Sequence, residues 1–314
     1  MNKESSPKTG RQGSPGAVAT QSCRMKFWGV RGSIPTPGPS TVYYGGNTSC
    51  IEVRADGEII ILDAGTGLRP LGLSLSDEFK GKPLELTFLI SHTHWDHIQG
   101  FPFFLPAYNA ANRLNILGYE GARAGLAATF AGQMENPYFP IAFQEMPGHI
   151  VVKELKNLEF KLGAVRVSAC FLNHPGFCIG YRLFTSRGSI AYLPDNEPYE
   201  HRHKQRADAG NCKVLMLEEE LVEFIKGADV LVLDSQYDDE EYARHIGWGH
   251  GCIRYSVTLA HRAGVGKLFL FHHDPDHDDA RVNALVAQAR ELLVEIGGNM
   301  VIEAAREGRE VILG

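Results

Sequence analysis

The sequence Ser-His-Thr-His-Trp-Asp-His runs from Ser91 to His97. It follows the short apolar run Leu-Thr-Phe-Leu-Ile of residues 86–90, which predicts a buried strand. Side chains alternate along an extended segment, so His92 and His94 point the same way. The imidazoles and the carboxylate of this segment predict a site for two neighbouring metal ions. The alternative is a polar strand end whose histidines only form hydrogen bonds.

Length and composition indicate a globular protein with a sizeable core. The chain has 314 residues, of which 44% are hydrophobic, and this allows one large α/β domain or two small ones. The formal net charge of -6 gives no indication of a nucleic-acid or membrane partner. No apolar stretch of the sequence approaches transmembrane length.

The N-terminal residues differ in composition from the rest of the chain. Residues 1–21 are rich in Ser, Gly, Pro and Lys and lack the apolar segment of a signal peptide. We therefore expect residues 1–23 to form a disordered tail and residues 24–314 to form a single domain. The six cysteines include no close-spaced pair, which fits a reducing compartment, and we expect a cytoplasmic protein.

Apolar runs and turn residues predict a chain that alternates strands and helices. We predict strands at residues 24–30, 50–54, 58–62, 86–90, 114–118, 158–162, 165–171, 177–184, 189–193, 228–234, 267–271, 300–303 and 310–313. We predict helices at residues 121–134, 218–226, 253–263 and 279–296. The acidic residues 238–241 are interpreted as a solvated turn. Residues 136–149 are interpreted as a loop or lid without an assigned role.

Further metal-binding side chains follow predicted strands. His174, Asp195 and His272 each come directly after a strand in the second half of the chain. Strand ends at one edge of an α/β sandwich converge, so we expect these side chains to lie near His92 and His94. Asp63 also follows a strand, where it either binds metal or accepts backbone N–H bonds, and we favour the second role.

These residues resemble the HxHxDH signature and the later His, Asp and His of the metallo-β-lactamase fold superfamily. The resemblance covers about residues 25–314 and implies a four-layer αβ/βα sandwich, in which two mixed β-sheets are flanked by helices. It implies three groups of ligands: His92, His94 and His174 for one ion, Asp96, His97 and His272 for the other, and Asp195 bridging both. Two divalent ions are expected, with zinc as the default and manganese or iron as alternatives.

A second resemblance indicates which branch of this superfamily the chain is similar to. Gly249-His250-Gly251, followed by a predicted helix and strand, resembles the end of RNase Z and of its cyclic phosphodiesterase relatives. Gly251 replaces the serine of their Gly-His-Ser motif, so any role of that hydroxyl is lost. The segment 28–35, Trp-Gly-Val-Arg-Gly-Ser-Ile-Pro, is similar to a group of bacterial single-domain metallohydrolases. No insertion resembles the tRNA-gripping arm of RNase Z, and the net charge does not predict a dedicated nucleic-acid surface.

The resemblance implies a phosphodiesterase that acts on a cyclic nucleotide or another small phosphodiester through a metal-activated water. Asp96 would orient the water, and His250 is the candidate general acid. His250 alternatively packs against the site without a chemical role, and His245 is a weaker candidate. His273 and His277 are expected either to support the ligands or to face solvent.

Other functions and assemblies stay open. Thioester or lactone hydrolases share the metal signature, a nuclease is a further alternative, and a non-enzymatic metal-stabilised binding protein is a third class. The Gly-His-Gly motif favours a phosphate substrate among these. We expect a small-molecule substrate and no membrane partner, and the sequence is compatible with a homodimer.

Overall fold

The computed structural model describes residues 22–119, 125–201 and 218–314. Residues 1–21 of the predicted tail and residues 121–124 of the predicted helix 121–134 lie outside these ranges. Cys23, which the prediction places in the tail, is fully buried, and its carbonyl accepts a hydrogen bond from Leu313 N at 2.9 Å. Cys23 therefore belongs to the packed body.

The strands of the described residues form two seven-stranded sheets. They are β1 (Arg24–Gly29), β2 (Cys50–Ala55), β3 (Glu58–Leu62), β4 (Glu85–Ile90), β5 (Arg113–Gly118), β6 (His149–Glu154), β7 (Glu159–Leu162), β8 (Val165–Phe171), β9 (Ile179–Thr185), β10 (Gly188–Leu193), β11 (Val230–Asp234), β12 (Lys267–Phe271), β13 (Val301–Ala304) and β14 (Glu310–Ile312). The strand predictions are confirmed within a few residues at each end. Strand β6 was not predicted as a separate element.

Both sheets are mixed. The first has the strand order β14-β1-β2-β3-β4-β5-β6, with parallel pairing from β3 to β6 and antiparallel pairing elsewhere. The second has the order β13-β12-β11-β10-β9-β8-β7, with parallel pairing from β10 to β13. Strand β4 lies between two parallel neighbours, and this position explains why its sequence is apolar on both faces.

Seven helices connect the strands of the described residues. They are α1 (Leu68–Phe79), α2 (Trp95–Ile98), α3 (Gly125–Gly132), α4 (Glu218–Ile225), α5 (Asp239–His245), α6 (Ile253–Arg262) and α7 (Asp279–Glu295). Helix α1 was not predicted. The prediction of a solvated turn at residues 238–241 is wrong, because these residues begin α5. Asp238 accepts from Glu241 N at 2.8 Å, and Glu241 Oε2 accepts from Asp238 N at 3.1 Å, which forms a capping box.

The apolar side chains separate into three large clusters that define four layers. The inner cluster joins the facing surfaces of the sheets, with Phe27 of β1 against Phe269 of β12 at a centroid distance of 5.0 Å. A second cluster packs α1 and α3 on the outer face of the first sheet, and a third packs α4, α6 and α7 on the second sheet. The predicted αβ/βα sandwich is therefore observed.

Within the described ranges, no helix combines the length and apolar character needed to cross a membrane.

Candidate metal centre

The ends of parallel strands bring the predicted site residues together. Strands β10, β11 and β12 are parallel neighbours, and Asp195, Asp234 and His272 lie at or just beyond their carboxyl ends. Strands β3 and β4 are also parallel, and Asp63 and Ser91 follow them. Carboxyl ends of parallel strands meet at one edge of a sheet, so a single edge of each sheet supplies the cluster.

The segment after β4 changes from extended to helical within the signature. His94 is extended, with φ -61° and ψ 150°, and α2 begins at Trp95. His92 and His94 therefore come from extended backbone, whereas Asp96 and His97 project from the first turn of α2. This change of conformation gives one short segment two directions in which to present its side chains.

The first group contains His92, His94, His174 and Asp195. Nδ1 of His94 lies 3.0 Å from Nε2 of His92 and 3.1 Å from Nε2 of His174. Oδ2 of Asp195 lies 3.6 Å from Nε2 of His92 and 3.7 Å from Nε2 of His174. Four ligand-type atoms thus converge on one point.

The second group contains Asp96, His97 and His272. Oδ2 of Asp96 lies 3.1 Å from Nε2 of His97 and 3.1 Å from Nε2 of His272. The other carboxylate oxygen of Asp195, Oδ1, lies 3.2 Å from Nε2 of His97 and 3.4 Å from Nε2 of His272. Asp195 therefore faces each group with a different oxygen.

Hydrogen bonds at Nδ1 fix the orientation of the imidazoles. The acceptors are Ser91 Oγ for His92 at 3.0 Å, the Gly249 carbonyl for His174 at 2.9 Å, and Gln236 Oε1 for His272 at 3.2 Å. Because Nδ1 donates its proton to these acceptors, Nε2 presents its lone pair to the centre of the cluster.

Asp63 orients a fourth imidazole, that of His97. Its Oδ2 accepts from Nδ1 of His97 at 2.8 Å, from Ser91 Oγ at 2.7 Å and from the hydroxyl of Tyr192 at 2.6 Å, while Oδ1 accepts from Ser91 N. The backbone of Asp63 has φ 60°, in the left-handed region. Asp63 thus accepts a backbone N–H, as we favoured, and also orients a predicted ligand.

His250 lies at the margin of both groups. Its Nδ1 is 3.0 Å from Oδ2 of Asp234 and 3.8 Å from Oδ2 of Asp195, and its ring stacks on His272 at a centroid distance of 4.9 Å. Burial lowers the pKa of His250, but the carboxylates of Asp234, Asp195 and Asp96 together outweigh this effect and raise the pKa to about 9. Because Nδ1 faces Asp234, Nε2 lies on the side of the ring away from that carboxylate.

The remaining histidines have other partners. His245 donates from Nδ1 to the Glu241 carbonyl at 2.6 Å and stacks on Tyr237. The solvent-facing alternative for His273 and His277 is wrong, because both are buried. Nε2 of His273 donates to the carbonyl of Ala305, and burial lowers the pKa of His273 to about 3.

Other residues contribute to the cluster without being predicted ligands, and Ser33 and Asp234 among them were missed in the sequence. Ser33 N donates to Oδ2 of Asp96 at 2.9 Å, so the loop that follows β1 reaches the cluster. Gly249 has φ 92°, and a Cβ there would lie 2.4 Å from Nδ1 of His174. Both facts explain why the position is occupied by glycine. Asp234 is a charged residue at the end of a buried strand. That position was the feature of the sequence that could have identified it.

The residues present fit a bound cation. Asp96 and Asp195 are at most 5% exposed, and buried carboxylates need compensating positive charge. Burial alone would lower the pKa of His97, but Asp96, Asp195 and Asp63 raise it well above its usual range, so the cluster attracts positive charge. Nε2 of His97 and Oδ1 of Asp195 are buried without a hydrogen-bond partner among the described residues. These atoms are the ligand types that divalent ions take.

Comparison with known proteins places this cluster inside a recognised domain. The sequence profile of the beta-lactamase superfamily domain matches residues 59–273, which include every residue of both groups. The chain is also similar to Ribonuclease Z of Haloarcula marismortui, with 22% identity over 302 residues that cover 85% of this chain and 91% of that protein.

Solved structures with the same fold include two of similar length. The metallo-β-lactamase fold protein YhfI from Bacillus subtilis has a TM-score of 0.66 and 15% identity, with coverage of 92% of this chain and 98% of that chain. A diphosphatase from the PhnP family has a TM-score of 0.63 and 16% identity, with coverage of 93% and 100%. These similarities confirm the predicted fold.

Proposed function

Since the chain belongs to the beta-lactamase superfamily, we propose that it is a metal-dependent hydrolase, and specifically a phosphodiesterase for a small phosphodiester such as a cyclic nucleotide. The observation that carries the proposal is the placement of Asp195, whose Oδ2 faces the first group and whose Oδ1 faces the second. A carboxylate with one oxygen toward each of two ligand groups suits a pair of ions, and paired ions serve phosphoryl-transfer enzymes.

The proposed ligands fall into the two groups already described, with His92, His94 and His174 for one ion, Asp96, His97 and His272 for the other, and Asp195 for both. Zinc is the ion we propose, since five of the seven ligands are imidazoles, and manganese or iron is the alternative. When bound, such ions polarise a phosphoryl oxygen and make an attacking water acidic at neutral pH. Asp96 would orient that water by accepting a hydrogen bond from it.

His250 is the proposed general acid. Its Nδ1 is held by Asp234, which leaves the Nε2 proton to be donated to the leaving oxygen of a bound phosphodiester. The stacking of His250 on His272 keeps the ring beside the second ligand group. A protonated histidine at this position would neutralise the negative charge that develops on the leaving group.

A nuclease is the second candidate, favoured by the similarity to Ribonuclease Z. The net charge of -6 argues for the small substrate, because RNA binding needs clustered basic side chains. Every proposed ligand comes from one chain, so the reaction does not depend on a homodimer. We also infer a cytoplasmic location, since the five described cysteines form no disulfide among themselves.

The test compares substrate classes on the zinc- or manganese-loaded protein. The panel contains bis-p-nitrophenyl phosphate, 3′,5′-cyclic AMP, a short RNA, a thioester and a lactone. We expect hydrolysis of the two small phosphodiesters to exceed that of the others. Asp195→Asn should abolish this activity, and Asp276→Asn, a matched change of an exposed carboxyl group, should leave it intact. Faster hydrolysis of RNA would favour the nuclease, and faster hydrolysis of the thioester or lactone would contradict a phosphodiesterase.

A further inference from the structure

A cavity of about 680 Å³ lies beside the segment that carries the histidine signature. Its wall includes Thr93 and Trp95, which alternate along the chain with His92, His94 and Asp96. Neighbouring Cα atoms are about 3.8 Å apart, so the backbone of this part of the wall lies one residue along the chain from proposed ligands. Its volume is within the range of small-molecule sites, about 300–1,000 Å³.

Exposed aromatic side chains line this cavity. Trp95 is 76% exposed, Phe103 is 58% exposed and Tyr138 is 84% exposed. Phe139 packs edge-on against Phe103 at a centroid distance of 5.5 Å. Single exposed apolar side chains are common on protein surfaces, but several grouped at one concave surface indicate a ligand site.

The aromatic segment 101–106 divides between the core and this cavity. Phe101 and Phe104 are fully buried and pack on Phe88 at centroid distances of 5.8 and 5.5 Å. Phe103 points away from this core and lines the cavity. The structure thus gives core packing to Phe101 and Phe104 and a place in the cavity wall to Phe103.

The polar groups of the cavity are uncharged. Among the described residues, its lining includes the amides of Gln99 and Gln133 and contains no Lys, Arg, Asp or Glu. Side-chain amides can hydrogen-bond to a ligand with polar edge atoms, whereas an acyl chain has no atoms that accept or donate such bonds.

We propose that the cavity binds the nucleobase of the phosphodiester substrate. The ring would stack on Trp95 or Phe103, and its edge would hydrogen-bond to the side-chain amides of the wall, while the phosphate occupies the proposed metal centre. A base combines an uncharged planar face with polar edge atoms, which matches the aromatic lining and its amides. The inference rests on the proposed function, since it places the phosphate of the same substrate at that centre.

The test uses two esters with the same leaving group, thymidine 5′-(p-nitrophenyl phosphate) and methyl p-nitrophenyl phosphate. We expect a higher kcat/KM for the ester that carries the base. Phe103→Ala and Trp95→Ala should lower the ratio of the two kcat/KM values about 5- to 100-fold, the usual effect of losing one base–aromatic stack. Tyr43→Ala removes an exposed aromatic side chain outside the cavity and should not change the ratio.

Each outcome separates this inference from the proposed function. No preference for the base-carrying ester, or equal losses on both esters in the Phe103 variant, would overturn the nucleobase site. Failure to hydrolyse either ester would contradict the phosphodiesterase. In that case, calorimetry of adenosine 5′-monophosphate and ribose 5-phosphate on the metal-loaded protein still decides the inference. Tighter binding of the nucleotide that is lost in Phe103→Ala supports it, and equal binding overturns it.

Discussion

At the scale of single residues, the site depends on which atom of each side chain faces the centre of the cluster. His174 and His272 donate from Nδ1 to the Gly249 carbonyl and to Gln236, and this leaves both Nε2 atoms directed at Asp195. His250 differs, because its Nδ1 faces the Asp234 carboxylate. On this difference we base the proposal that His250 donates a proton while His174 and His272 bind metal.

His250→Ala should therefore affect the departure of the leaving group rather than metal binding. We expect turnover of a phosphodiester with an alkoxide leaving group to fall about 10²–10⁴-fold, the usual contribution of general acid catalysis. Turnover of a p-nitrophenyl ester should fall much less, because p-nitrophenolate leaves without a proton. Steady-state kinetics on both substrates measures the difference.

His245→Ala is the matched control for this prediction. His245 precedes His250 by five positions, but it is tied to the Glu241 carbonyl, so we expect near-normal turnover on both substrates. Equal losses on good and poor leaving groups in His250→Ala would indicate phosphate binding instead. Loss of metal in that variant would place His250 among the ligands.

The proposed ligands were identifiable from the sequence because each follows a recognisable strand or belongs to the signature. Their partners were less accessible. Ser33 N contacts Asp96 from a loop 63 positions away, and Tyr192 contacts Asp63 across 129 positions. The first contact depends on strand order within one sheet and the second on how the two sheets pack. The periodicity of a single strand contains no information about either.

At the scale of elements, helix starts depend on local capping groups. The acidic run at residues 238–241 resembled a solvated turn, yet Asp238 and Glu241 have the spacing of a capping box and begin α5. Helix α7 likewise begins at an acidic cap. Asp278 is its N-cap, and Oδ1 accepts from Arg281 N at 2.7 Å.

Asp278→Ala should lower the free energy of unfolding by about 1 kcal/mol, because the backbone N–H of Arg281 loses its acceptor. Asp276→Ala is the control, since Asp276 is an exposed acid just before the same helix that does not cap it. Chemical denaturation of both variants gives the comparison. A destabilisation of the same size in both would assign the effect to lost negative charge rather than to the cap.

At the scale of the whole molecule, strand order determines which distant residues meet. The neighbours β10, β11 and β12 are parallel, so Asp195, Asp234 and His272 at their carboxyl ends reach the same edge of the second sheet. Strand existence was predictable from apolar runs, but strand order and register depend on pairings between distant segments. The resemblance to a known superfamily supplied the architecture that periodicity could not, and residues 1–21 stay a sequence-based prediction of a tail.

The central claim is a pair of ions, bridged by Asp195, that supports phosphodiester hydrolysis. The most direct measurement titrates metal-stripped protein with zinc, and separately with manganese, while hydrolysis of bis-p-nitrophenyl phosphate is followed. With at least one of these metals, we expect activity to increase until about two equivalents per chain are bound and then to remain constant. A plateau at one equivalent, or no activity at any amount of either metal, would contradict the account.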